Sequence, residues 1–375
     1  MAKSGPANQR VEAVPPDALW GRLGAALAGD AVVAPVRPGD ARTLAMLRPD
    51  VPVAEPDAAF IVATSGSTGE PKGVVLSAGS LRASADATHR RLGGPGTWTC
   101  ALPTHYVAGV MTLVRAWFAG TAPRFAPGDL AGLAAEGAGR HYLSLVPTQL
   151  FRALDDPVLA RRLAAFDAIL VGGARLDEGL ARAAAASGLN VVQTYGMSET
   201  CGGCVYDGVP LDGVGVSLDE RGTVGIAGEC VFSGYRLRPD LTAPVLGEEA
   251  GVRRFRTSDR ATWSDGRLRV LGRVDDVVIS GGVNVDLAAA QRAADAVLGP
   301  PDAGGLVLLG VPDSEWGTRV VAAGTGRRTT EDARAALRSA LEPAALPREV
   351  RTVDALPLTA SGKIDRRALR AWWVG

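Results

Sequence analysis

The stretch AAFIVATSGSTGEPKG, residues 58–73, runs from a short apolar segment straight into a turn dense in glycine and hydroxyl side chains. Its first six residues suit a buried strand. In the turn, Thr64, Ser65, Gly66, Ser67, Thr68 and Gly69 combine backbone that allows close approach with side-chain donors, and Lys72 adds a positive charge. Such a set can close around a phosphate. The spacing is neither GxxxxGK nor GxGxxG, and the same composition also serves ordinary loops.

Outward from this turn, apolar runs alternate with helical patterns. AILVGG (168–173) and NVVQTYG (190–196) suit strands, while LRASADATHRRL (81–92), PTQLFRALDD (147–156) and RLDEGLARAAAASG (175–188) suit helices, the last stopped by Gly188. The alternation predicts an α/β layered fold. After about Gly266 the texture changes: a helix is expected over 286–297, strands in GGLVLLGVPD and TRVVAAG, a helix near 331–341 and a last strand near REVRTVDAL. A large α/β domain over 1–274 and a small α+β domain over 275–375 are expected, joined by a short hinge because no Pro-rich or Ser-rich linker intervenes.

Forty lysine and arginine residues balance 40 aspartate and glutamate residues, which removes the usual electrostatic case for nucleic acid or a membrane surface as partner. The opening residues carry no signal-peptide pattern and no long apolar run occurs, so the expectation is a cytoplasmic protein without membrane insertion. Four cysteines are too few for a disulfide framework, and Cys201 with Cys204 lacks the second pair of a zinc site. Homo-oligomers remain possible. Lysine occurs only at Lys3, Lys72 and Lys363, so each position that keeps it invites a reason.

The turn TSGSTGEPKG closely resembles the phosphate loop of the adenylate-forming superfamily of acyl-CoA synthetases, peptide-synthetase adenylation domains and luciferases. QTYGMSET (193–200), RTSDR (256–260), GRVDDVVISGGVNV (272–285) and PLTASGKIDRR (357–367) resemble further segments of that family, in its order. The likeness covers about residues 58–370 and implies a shortened N-terminal region. Within the family, LPTHYVAGVMTLVRAWFAG, LVPTQLFRAL and YGMSETCGGCVYDGVPLDGV are most similar to the compact o-succinylbenzoate-CoA ligases of menaquinone biosynthesis.

The resemblance implies two half-reactions: a small carboxylic acid attacks ATP to give an acyl-adenylate and pyrophosphate, then CoA displaces AMP. It implies nucleotide contacts by Thr64 to Gly69 and Lys72, by Gly172, Gly173 and Ala174, by Gln193, Thr194, Tyr195, Gly196 and Ser198, and by Asp259 and Arg273 at the ribose. Glu199 is implied as the Mg²⁺ ligand, Lys363 as the catalytic lysine, Asp275 as the hinge, and Gly281 with Gly282 as the passage for CoA. His105 and Arg115 are expected to shape the acid pocket; Arg115 is the one charge in an apolar helical pattern and needs either a protein or a substrate carboxylate. Open alternatives are another aryl- or acyl-CoA ligase, a carrier-loading adenylating enzyme, and a nucleotide-binding protein that has lost its chemistry.

Overall fold

The strand expected ahead of the glycine-rich turn forms as Ala58–Ser65, and the chain beyond the turn, Pro71–Ser77, returns antiparallel to it. This computed structural model describes residues 9–55, 57–65, 71–359 and 363–373. Gly66, Ser67, Thr68 and Gly69 of the expected phosphate turn lie outside the described residues. The chain divides into two compact units: Met1–Ser217 with Gly225–Thr257 and Ser264–Leu268, and Leu218–Val224 with Ser258–Trp263 and Arg269–Gly375.

Among the described residues, two sheets lie wholly within the first unit. One runs Val11–Val14, Val32–Pro35, Ala58–Ser65, Pro71–Ser77 and Gly234–Tyr235, the first three strands parallel and the others antiparallel. The other orders Val209–Pro210, Gly202–Tyr206, Val191–Met197, Ala168–Val171, His141–Leu145, Thr97–Cys100 and Arg124–Phe125, parallel from Val191–Met197 onward. Ala168–Val171 and His141–Leu145 are buried along their whole length, as central parallel strands are, which is why their sequences show little alternation.

The helix Ala78–Arg91 touches strands of both sheets. It is therefore buried on several sides, and Ser80, Ser84, Ala85 and Ala87 keep it slim enough to fit. Its polar groups are satisfied: Ser77 and Ser80 form a capping box, Ser84 donates to the Cys201 carbonyl at 2.9 Å, and Thr88 meets the Tyr206 hydroxyl at 3.0 Å. The helix Glu178–Ala186 closes as its sequence predicts, with Gly188 at φ +74° and the Leu189 N–H donating back to the Ala184 carbonyl.

In the second unit, Val283–Asp286, Val277–Ser280, Gly317–Gly324 and Leu306–Asp313 form an antiparallel sheet, with Val350–Thr352 parallel to Gly317–Gly324. Period-two alternation divides its apolar residues. Leu306, Leu308, Val320 and Ala322 pack with the helices Leu287–Leu298 and Thr330–Leu337, whereas Val307, Leu309, Val311 and Val321 pack with Leu369 of the helix Arg366–Ala371. The helix expected to reach residue 341 stops at Leu337, where the Ala340 and Leu341 N–H groups both turn back to the Leu337 carbonyl ahead of Pro343. Among the described residues, no helix is long and apolar enough to cross a membrane.

Gly234–Tyr235 is too short to hold its edge position by ladder bonds alone. The next residue, Arg236, is 1% exposed, and its guanidinium donates to the carbonyls of Leu47, Arg48, Val51 and Pro52. Burial lowers its pKa, but the four carbonyls satisfy the charge. Replacing Arg236 by Met should strand those carbonyls and cost on the order of 3 kcal/mol or more in a urea titration. A loss below about 1 kcal/mol would contradict the clamp.

Candidate active site

Lys72 opens the strand beyond the glycine-rich turn, opposite Thr64 of the strand before it. In the neighbouring pair, Tyr235 stands opposite Val74, so the period-two pleat puts Tyr235 diagonally beside Lys72 on one face. The Lys72 ammonium donates to the Tyr235 hydroxyl at 2.9 Å and lies 4.1 Å from the ring centroid. That hydroxyl donates to Glu199 Oε1 at 2.7 Å, and Lys72 Nζ is itself 3.3 Å from the same oxygen. Glu199 sits in the short 3-10 turn Ser198–Thr200 and is only 7% exposed. Neither Tyr235 nor Arg236 carries a sequence signal; Tyr235 lies 163 positions from Lys72 and is brought beside it by sheet pairing.

The other expected nucleotide residues of this unit fall on adjoining strand ends. Gly172, Gly173 and Ala174 follow the strand Ala168–Val171, and Gln193, Thr194, Tyr195 and Gly196 belong to Val191–Met197, its parallel neighbour. The ends of parallel strands are where open α/β sheets take ligands. Two of these glycines have a reason independent of any ligand. A Cβ at Gly172 would stand 2.3 Å from Thr194 Oγ1, and one at Gly196 would stand 2.0 Å from the Gly202 carbonyl.

Arg115 lies on the helix Val107–Phe118 and is 4% exposed. Among the described residues no carboxylate pairs with it. Its guanidinium lies over the Trp98 ring at 5.1 Å, reaches the Tyr206 hydroxyl only at 3.5 Å, and leaves Nε without a partner. A Cβ at Gly202 would stand 3.8 Å from Arg115 Nη2, so the charge lies beside the segment that follows Glu199. His105 packs on Tyr106, with Nε2 buried and unpartnered; burial lowers its pKa, which favours the neutral ring. The four cysteines are buried and free, and burial pushes the Cys201 thiol up to about 12, which leaves it protonated.

In the second unit, Asp259 and Arg273 pair at 3.6 Å. Asp275 belongs to the 3-10 turn Val274–Asp276. Gly281 and Gly282, at φ +59° and +79°, turn the hairpin between Val277–Ser280 and Val283–Asp286, where a Cβ at Gly281 would strike the Trp316 ring at 2.5 Å. The Thr359 N–H donates to the Lys363 carbonyl at 2.7 Å, and the Lys363 side chain is exposed, with no ion pair among the described residues.

A model of the AMP-binding enzyme family matches residues 8–236, and one of the AMP-binding enzyme C-terminal domain matches residues 296–363. The chain is 42% identical over 336 residues to a probable 2-succinylbenzoate–CoA ligase of Mycobacterium tuberculosis, covering 85% of each protein. It is 30% identical to a feruloyl-CoA synthase of an Amycolatopsis species, over 86% of this chain and 71% of that protein. Among solved structures, ATP-bound MatB from Rhodopseudomonas palustris superposes with a TM-score of 0.72 at 25% identity, over 97% of this chain and 79% of that one. An arginine-to-lysine variant of E. coli MenE with bound OSB-AMS shares the fold, with a TM-score of 0.76 at 24% identity over 98% of this chain and 88% of the other. The chain belongs to the AMP-binding enzyme family, which bears out the adenylate-forming resemblance and the α/β fold expected from it.

One titration follows from Arg115 and its neighbours. The Trp98 indole N–H donates to His89 Nε2 at 3.2 Å, and burial, then the Arg115 charge, lowers the His89 pKa to about 4 against an opposing pull from Asp86. Unfolded His89 binds a proton below its ordinary value near 6.5, while the folded ring does not until about 4. Stability should therefore be full above pH ~6.5 and fall as pH drops toward ~4. His89→Gln should flatten that part of a stability-against-pH curve. Equal slopes for variant and wild type would contradict the assignment.

Proposed function

We infer that this chain is an ATP-dependent acid–CoA ligase acting on 2-succinylbenzoate. A carboxylate oxygen of the acid attacks the α-phosphorus of ATP, the bond to pyrophosphate breaks, and an acyl-adenylate results. The CoA thiol then attacks the acyl carbon, AMP leaves and the thiol proton is released. The family supports the reaction, and the 42% identical relative supports the acid. The observation that carries the acid's class is Arg115: a buried guanidinium with no carboxylate partner among the described residues matches the second, non-reacting carboxylate of a dianionic substrate.

The remaining roles follow from charge. Two anions must meet, so donors and cations fixed beforehand lower the barrier. Lys72 offsets phosphate charge. Lys363 is proposed to contact the reacting phosphate and acid, where a compact ammonium fits better than a planar fork. Asp259 and Arg273 are proposed for the ribose, and Gly281 with Gly282 for the pantetheine arm of CoA.

The donor set fits Mg²⁺ shared with ATP. Glu199 presents one buried carboxylate whose Oε2 accepts no hydrogen bond among the described residues, and Mg²⁺ commonly takes one or two protein carboxylates with the rest of its shell from phosphates and water. When bound, the ion would neutralise phosphate charge.

Arg115→Leu should raise KM for 2-succinylbenzoate by about thirty- to several-thousandfold, the loss of one partner of a desolvated charge pair. KM for a benzoate analogue lacking the second carboxylate should change little. Thermal stability should hold or rise, since Leu replaces a charge with no counter-ion among the described residues. Equal loss for both acids, or a much earlier melt, would show that Arg115 supports the fold instead of reading the substrate.

A further inference from the structure

Tyr235 uses both capacities of its hydroxyl on charged groups. It accepts from the Lys72 ammonium and donates to Glu199, and both Lys72 and the hydroxyl converge on Oε1. The direction of these bonds is fixed, because an ammonium can only donate and an ionised carboxylate can only accept. The consequence is a division of the carboxylate: Oε1 is held, while Oε2 has no hydrogen bond among the described residues.

The phenol is itself held firmly. Its ring packs on Phe232 with centroids 4.9 Å apart, and Phe232 packs edge-on against Phe255. The Tyr235 backbone N–H donates to Thr242 Oγ1 at 2.9 Å. Arg236 anchors the backbone on one side, and the pairing with Val74 fixes it to the strand that carries Lys72. A hydroxyl this constrained transmits a defined position to the flexible groups it touches.

We propose that Tyr235 is a positioning residue for the cation and phosphate part of the site: its hydroxyl holds Glu199 by Oε1, which would leave Oε2 for a divalent cation, and parks the Lys72 ammonium beside it, from where phosphates would draw it away. The proposal rests on the adenylation function given above. Without the hydroxyl, Lys72 and Glu199 are left as a direct pair already only 3.3 Å apart, and the ammonium competes with the metal for the carboxylate. Tyr235→Phe removes that hydroxyl while keeping the ring and its packing.

The test is calorimetric binding of ATP to the full chain across a series of Mg²⁺ concentrations, without acid or CoA, together with thermal melts. In Tyr235→Phe the Mg²⁺ concentration at half-maximal ATP affinity should rise about tenfold or more, in line with loss of an outer-shell partner. At saturating Mg²⁺ the ATP affinity and the melting temperature should stay close to wild type. In a Glu199→Gln background the same change should have no further effect on Mg²⁺ dependence, because the carboxylate it orients is gone. An unchanged Mg²⁺ midpoint in Tyr235→Phe, an equal effect in the Glu199→Gln background, or a fall in affinity at every Mg²⁺ concentration with an earlier melt would each overturn the positioning role and leave the adenylation function standing. A wild-type chain that takes up no ATP would overturn both.

Discussion

A two-residue edge strand holds the charged cluster together. Gly234–Tyr235 pairs with Val74 and Val75, and this pairing sets a phenol between the lysine of the glycine-rich turn and the buried carboxylate of the Ser198–Thr200 turn. Two ladder positions are a weak attachment, and Arg236 reinforces them with four carbonyl bonds to residues near 50. Sheet register, buried guanidinium and charged cluster thus form one chain of dependence. An error in the first displaces the last.

The net charge of zero agrees with this arrangement. A protein that must bring a triphosphate and a carboxylate together without a basic surface needs cations placed individually. Lys72 is held by a hydroxyl and a carboxylate, and Arg115 by an aromatic face and a distant hydroxyl. Each is kept in a setting that a polyanionic ligand can improve. A buried charge with only soft neutral partners is costly in the free protein, and a ligand that supplies the counter-ion recovers that cost on binding.

Much of this was legible in the sequence, for physical reasons that also explain the gaps. The strands Ala58–Ser65 and Ala168–Val171 announced themselves as apolar runs beside glycine, and the helix Glu178–Ala186 by its periodicity and glycine stop. The strands Val11–Val14 and Val32–Pro35 did not, because proline stands at or just past the end of each short run and reads as a break. Pro71 and Gly73 hid the strand Pro71–Ser77, which has an ordinary β-prone run only from Val74 to Leu76. Lys72 and Glu199 stood out as charged residues in recognisable strings. Tyr235 and Arg236 stood out in nothing, since their roles depend on partners far away in the chain. Gly172 and Gly196 were assigned to the nucleotide, yet the neighbouring strand already forbids a side chain at either, so their identity says nothing by itself about a ligand.

In the proposed reaction a dianionic acid is adenylated at the expense of ATP. Pyrophosphate release by the wild-type chain, measured over a panel of carboxylic acids with and without CoA, tests it most directly. With 2-succinylbenzoate the account requires pyrophosphate and, once CoA is added, AMP and the CoA thioester in equal amounts, while acids lacking the second carboxylate release far less. Release of ADP and phosphate, or no pyrophosphate with any acid of the panel, would contradict it.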